Sequence, residues 1–224
     1  MKSTLTRVAL CLAVFAFSLS AFAASKHGNV QLTKNNRVAT TSMHSKIVAQ
    51  NIREDAKLTK VFSNISKYPF ARYFCCYGWT ISGPSSQIGE QIWLAAPFTP
   101  SSKTTAKKVE VSAGWFLGTD SLVVGIAEDD GGVPGDMLAS KLVNNVFEFG
   151  TCCTLTTAFF SKGVALDANT QYWVVMSTNS KDEDFGGAWA INTTDDRNYT
   201  FATNTGTGWA TTSAFLGGYA VLGE

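Results

Sequence analysis

Histidine is scarce in this chain. Among 224 residues it occurs only as His27 and His44, both close to the amino terminus. Hydrolases of the Ser-His-Asp type need an imidazole held inside a formed site. The sequence therefore disfavours a histidine-dependent hydrolase, unless an amino-terminal arm folds over the domain and delivers one of these side chains.

Long apolar runs are also missing, apart from one at the amino terminus, Val8 to Phe22. A basic start precedes this run and small residues follow it, which is the order of a secretory signal peptide. We expect residues 1–24 to be removed, with cleavage after Ala23 or Ala24, and the mature protein to be extracellular or periplasmic. A membrane span needs about 20 apolar residues, so we expect none.

Cysteine is limited to five residues, and Cys11 lies inside the predicted signal peptide. The remaining four form two adjacent pairs, Cys75-Cys76 and Cys152-Cys153. An oxidising compartment favours disulfides, and a bond within either adjacent pair would be strained, so we predict two cross-links between the pairs. The connectivity stays open, because successive strand side chains point to opposite faces and both bonds require a bend or bulge.

Charge is low overall but unevenly distributed. Residues 25–60 are basic, and the rest of the chain after them is acidic. We interpret residues 25–60 as a largely disordered linker or pro-segment; the alternative is an arm that contacts anionic cell-wall polymer or lipopolysaccharide. The acidic remainder gives no support for nucleic-acid binding.

Helix signals are nearly absent, and from Val61 onward short apolar runs rich in aromatic and β-branched residues alternate with turn signals. Residues Lys108–Trp115 alternate polar with apolar, which indicates one buried face. Tyr172–Met176 is apolar throughout, which suits a central strand. We predict one all-β domain over residues 61–224, a jelly-roll-like antiparallel β-sandwich of two sheets with about ten strands.

Several landmarks occur in a fixed order along this domain. They are Gly78-Trp79-Thr80, Phe98-Thr99-Pro100, the alternating strand Val109–Trp115, Gly131-Gly132-Val133-Pro134-Gly135, and Leu166-Asp167-Ala168-Asn169-Thr170-Gln171-Tyr172-Trp173. Their order resembles that of bacterial secreted proteins related to the choice-of-anchor β-sandwich domains, over most of residues 75–222. The resemblance implies the sandwich fold and transfers no catalytic residue. Such proteins often carry a carboxy-terminal sorting segment; Val221-Leu222-Gly223-Glu224 is not one, so we expect release or non-covalent retention.

Two groups of aspartates lie in predicted turns: Asp129, Asp130 and Asp136 in one, Asp182 and Asp184 in the other. Calcium takes six to eight oxygen ligands of this kind, so both groups are candidate calcium sites. Calcium is the one candidate cofactor. Neither spacing matches a known calcium loop. Plain solvated acidic turns are the alternative.

Trp189 and Trp209 lie in surroundings rich in Gly, Asn and Thr, and a sugar ring can stack on an exposed indole. They are the candidate ligand-binding residues, with core packing as the alternative. The leading functional hypothesis is a non-catalytic secreted β-sandwich that binds a cell-surface or extracellular polymer, foremost a glycan. A structural or adhesive module that binds a surface protein, and a hydrolase that uses two carboxylates, are the alternatives. The oligomeric state stays open.

Overall fold

The computed structural model describes residues 57–65, 73–151, 154–193 and 199–224. These ranges contain thirteen β-strands and no helix, so the predicted all-β class is confirmed. No helix in the described ranges is long and apolar enough to cross a membrane. The predicted signal peptide, most of the basic segment 25–60 and the pair Cys152-Cys153 lie outside the described residues.

The strands are short and follow one another closely along the chain. In order they are β1 (Thr59–Ser63), β2 (Tyr73–Ser82), β3 (Trp93–Phe98), β4 (Thr104–Val111), β5 (Ala113–Leu117), β6 (Ser121–Asp129), β7 (Pro134–Asn144), β8 (Thr156–Leu166), β9 (Tyr172–Ser177), β10 (Gly186–Asn192), β11 (Tyr199–Asn204), β12 (Trp209–Ala214) and β13 (Tyr219–Gly223).

All strand pairs are antiparallel, and the strands form three hydrogen-bonded sheets. The largest has six strands in the order β12-β11-β3-β9-β6-β7, the second has the order β1-β13-β4-β8, and the third has the order β2-β10-β5. Strand β9 lies in the middle of the six-stranded sheet and all six of its residues are buried, as its continuous apolar sequence predicts.

The main hydrophobic core draws side chains from all three sheets. Leu94 and Phe98 come from the six-stranded sheet, Val109 from the four-stranded sheet and Trp189 from the three-stranded sheet. One core shared by the six-stranded sheet and the two smaller sheets is the arrangement of a β-sandwich.

Ser112 joins the two smaller sheets. Its backbone N–H donates to the Gly218 carbonyl (2.8 Å), and its carbonyl accepts from the Ala190 N–H (3.0 Å). Its buried hydroxyl donates to the Ala190 carbonyl (2.7 Å). The alternation over Lys108–Trp115 predicts one continuous strand, and this prediction is therefore wrong: the chain changes sheets at Ser112, and β4 and β5 are separate strands.

The sequence also predicts a strand over residues 146–149 and predicts none at the positions of β1 and β12, and the structure differs on all three points. Residues 146–149 are not a strand; they contact β5 through one isolated parallel bridge, Trp115 to Glu148. Strands β1 and β12 were not expected. Strand β12, with the sequence WATTSA, exposes four of its six residues at the edge of a sheet, so it lacks the alternation by which a half-buried strand is recognised.

Candidate functional site

A wide bulge in β8 shapes one side of the sandwich. Lys108 pairs with Phe159 and Ala106 pairs with Val164, so the four residues Phe160–Gly163 stand opposite Lys107 alone. Gly163 has a φ of +73°, and a Cβ at this position would lie 2.4 Å from Cγ2 of Thr105 and 3.0 Å from Cε of Lys107. Glycine therefore allows the bulge to turn and the lysine chain to lie against it.

Beside the bulge lies a groove of about 580 Å³. The side chains that give it chemical character are Lys57, Lys107, Lys141, Phe159, Ser161 and Glu224. They come from β4, β7, β8 and the chain segments that flank β1 and β13. The groove thus lies where the four-stranded sheet meets the edge strand β7 of the six-stranded sheet.

The groove carries three ammonium groups and one carboxylate. Lys107 Nζ pairs with Glu224 Oε1 at 3.0 Å, whereas neither Lys57 nor Lys141 has an ion-pair partner within the described ranges. Outside the lining, Lys108 Nζ pairs with Glu110 Oε1 at 3.1 Å and lies 5.4 Å from the centroid of the Phe159 ring. The groove therefore has an excess of positive charge around an aromatic ring.

Phe159 is the aromatic element of the groove and is 46% exposed, whereas its neighbour Phe160 is 7% exposed and packs in the core. Neither phenylalanine is among the functional residues predicted from the sequence. Two consecutive aromatic residues in a strand must point to opposite faces, so the Phe159-Phe160 pair itself signals that one ring lies outside the core. The four residues of the bulge, which stand opposite Lys107, had no such signal.

The structure does not bring the predicted pair Trp189 and Trp209 together. Trp189 is 0% exposed in the main core, and its indole N–H donates to the Gly218 carbonyl (3.0 Å). The prediction that Trp189 forms a ligand-binding surface is therefore wrong, because a buried ring cannot stack on a ligand. Trp209 is half-buried on the face of the six-stranded sheet that points away from the main core, against the small cluster that contains Trp173 and Val175.

The aspartates of the first predicted calcium group serve the turn between β6 and β7. Asp129 Oδ1 accepts from the side chains of Gln171 (2.6 Å) and Trp173 (2.7 Å), and Oδ2 accepts from the Gly132 N–H (3.1 Å). Asp130 and Asp136 are exposed. The described ranges contain no cluster of three or more His, Cys, Asp or Glu side chains arranged to hold a metal, and calcium binding stays a prediction.

The second group contains an unusual carboxylate, Asp182, while its partner Asp184 is exposed. Asp182 is fully buried; Oδ1 accepts from the Asn179 N–H (2.6 Å), and Oδ2 has no hydrogen-bond partner among the described residues. Burial raises the pKa of Asp182 above its ordinary value, and the charges of Asp184 and Glu183 act in the same direction against the backbone hydrogen bonds.

We expect Asp182→Asn to stabilise the protein at neutral pH by about 1 kcal/mol, because an unsatisfied buried charge costs more than the about 1–3 kcal/mol of an unsatisfied neutral group, and the amide keeps the oxygen that accepts from Asn179. The folded state binds the Asp182 proton more tightly than the unfolded state does. The contribution of Asp182 to the stability of the wild type is therefore fully present at acidic pH, and it is lost as the pH rises through the raised pKa.

Urea unfolding of both proteins across this pH range measures the effect. The advantage of the variant should vanish below about pH 3.9, the ordinary aspartate pKa. Asp184→Asn is the matched control and should change stability by less than about 0.5 kcal/mol. A destabilised Asp182→Asn at neutral pH would contradict the prediction.

The first cysteine pair lies in a second bulge. Residues 74–77 of β2 stand opposite Ile191 alone, because Tyr73 pairs with Asn192 and Gly78 pairs with Ala190. The Tyr73 hydroxyl lies 2.7 Å from the Thr154 carbonyl and 3.2 Å from the Thr151 carbonyl. These two threonines flank Cys152-Cys153 in the sequence. The start of β2 is therefore close to the two threonines that flank the second pair in the sequence, and the disulfides themselves stay a prediction.

Comparison with known proteins adds no relative. No family model, curated protein or solved structure matches this chain significantly. The resemblance to the choice-of-anchor β-sandwich proteins accordingly stays a prediction, and the function has to be argued from the geometry of the groove.

Proposed function

We propose that this protein is a non-catalytic, secreted β-sandwich that binds a cell-surface or extracellular polymer, with a glycan as the ligand, in the groove beside the β8 bulge. The observation that carries the proposal is the exposed Phe159 ring, which lines the same groove as the side chains of Lys107 and Lys141. Secretion is part of the proposal and rests on the signal-peptide pattern of residues 1–24.

The composition of the groove suits a sugar chain. An aromatic face offers a stacking surface for the apolar C–H groups of a sugar ring, and lysine ammoniums and the Ser161 hydroxyl offer hydrogen bonds to its oxygens. A groove open to solvent accepts internal units of a polymer, whereas a closed pocket accepts chain ends. The rigid strands β4, β7 and β8 hold these groups, so binding requires little ordering of the protein.

A polysaccharide array probed with the exported, purified protein, with and without calcium, tests the proposal. We expect binding to at least one polysaccharide, and Phe159→Ala should weaken that binding about tenfold, since an aromatic contact of this kind contributes about 1 kcal/mol beyond the area it buries.

Phe116→Ala is the matched control, because Phe116 is 44% exposed on β5, outside the groove, and contacts Phe149 at a centroid distance of 6.3 Å. Its binding should equal that of the wild type. Absence of binding to every polysaccharide, or equal losses for both variants, would reject the groove as a glycan site.

A further inference from the structure

We infer that the groove selects a polyanionic polysaccharide, one that bears carboxylate or sulfate groups, over a neutral one. This inference rests on the proposed function and adds the chemical class of the ligand. Two of the three lysines in the groove, Lys57 and Lys141, have no carboxylate partner within the described ranges. An anionic group bound between them would form charge-assisted hydrogen bonds, about twice as strong as neutral ones.

The positive charge of the groove contrasts with the rest of the domain. From Val61 to Glu224 the chain has fifteen aspartates and glutamates against nine lysines and arginines. Lys162, exposed within the bulge beside Ser161, adds to the local positive potential. The basic groove attracts a polymer whose charges are spaced along sugar units. The surrounding acidic surface repels double-stranded DNA, which is more densely charged, with one charge about every 1.7 Å.

Glu224 acts in this groove as an internal competitor. Its carboxylate occupies Lys107 at 3.0 Å, while its backbone is held by reciprocal hydrogen bonds with Thr105 (2.9 and 3.0 Å). The carboxylate thus takes a place that an anionic group of the ligand would otherwise fill. A bound polyanion has to displace it from Lys107 or share the ammonium group with it, and its removal should strengthen binding.

The test measures the affinity of the full exported chain for polygalacturonate and dextran sulfate as polyanionic probes, and for dextran as a neutral one. We expect the polyanions to bind at least tenfold more tightly than dextran. Their affinity should fall steeply from about 0.1 M to about 1 M salt, as the Debye length shortens from roughly 10 Å to roughly 3 Å.

Variants assign the effect to the groove. Lys57→Gln and Lys141→Gln should each weaken polyanion binding about fivefold to tenfold, and Glu224→Gln should strengthen it by a similar factor. Lys103→Gln is the control, because Lys103 pairs with Asp167 at 3.1 Å and does not line the groove. It should bind as the wild type does.

The outcomes separate this inference from the proposed function. Binding of neutral dextran that depends on Phe159 but not on Lys141 would overturn the polyanion inference and keep the glycan proposal. Equal affinity for double-stranded DNA and for polygalacturonate would overturn the selection of a polysaccharide. Polyanion binding that Lys57→Gln and Lys141→Gln leave unchanged would remove the groove as its site. Binding to none of these three probes would overturn the polyanion inference, whereas the polysaccharide array decides the glycan proposal.

Discussion

Replacing Trp189 with alanine should lower the free energy of unfolding by about 3–5 kcal/mol, the usual cost of truncating a fully buried tryptophan. The indole is 0% exposed and contacts the rings of Phe201 and Tyr219 at centroid distances of 6.3 and 5.6 Å. Its N–H also donates to the Gly218 carbonyl. The variant loses apolar burial, ring contacts and one buried hydrogen bond together.

Urea unfolding measures the loss, and a second substitution checks its cause. A Cβ on Gly217 would lie 2.3 Å from atoms of the Trp189 ring, so Gly217→Ala should cost about 1–3 kcal/mol by overpacking. Removing the indole makes room for this methyl group, and Gly217→Ala should cost far less in the Trp189→Ala background. Additive losses would mean that the two residues do not share one packing site.

Trp209→Ala is the comparison for the indole itself. Trp209 is half-buried against the small cluster that contains Trp173, so its truncation should cost clearly less than that of Trp189. If Trp189→Ala unfolded no more easily than Trp209→Ala, the placement of Trp189 at the centre of the core would be wrong.

The contrast between the two tryptophans shows which features of the fold the sequence predicts and which it does not. Composition and alternation along the chain are local properties, and they predict the all-β class and the central strand β9 correctly. Burial of Trp189 depends on Tyr219 and Phe201, which are distant in the sequence. The small polar neighbours of Trp189 in the sequence indicate an exposed loop, whereas in the fold its ring packs against Gly217 and its N–H donates to the Gly218 carbonyl.

The groove was beyond sequence reasoning for a similar reason. Lys57, Lys107 and Lys141 are far apart in the sequence and converge because β8 carries a bulge and β7 lies beside it. A bulge changes the strand register without a clear mark in the sequence. The sequence does predict that one ring of the Phe159-Phe160 pair is exposed, because consecutive strand residues point to opposite faces. It does not indicate that this ring lines a groove.

The cysteine pairs show the opposite case, in which a chemical requirement anticipated a structural feature. Two bonds between adjacent pairs need the chain to leave regular strand geometry, and the structure has such a departure at residues 74–77, which oppose a single residue of β10. The Tyr73 hydroxyl lies within hydrogen-bond distance of the carbonyls of Thr151 and Thr154, the two residues that flank Cys152-Cys153 in the sequence. This proximity supports the predicted cross-links.

Reduction of the purified protein should therefore lower its free energy of unfolding by about 4 kcal/mol, because a bond from Cys75 or Cys76 to Cys152 or Cys153 closes a loop of more than 70 residues. Melting with and without a phosphine reductant measures the loss. Thiol titration after denaturation counts the free cysteines, and the remainder are bonded. Replacing all four cysteines with serine should reproduce the reduced melting temperature and make it insensitive to the reductant. Four titratable thiols in the unreduced protein would contradict the cross-links and weaken the argument for export, since an oxidising compartment is the reason to expect them.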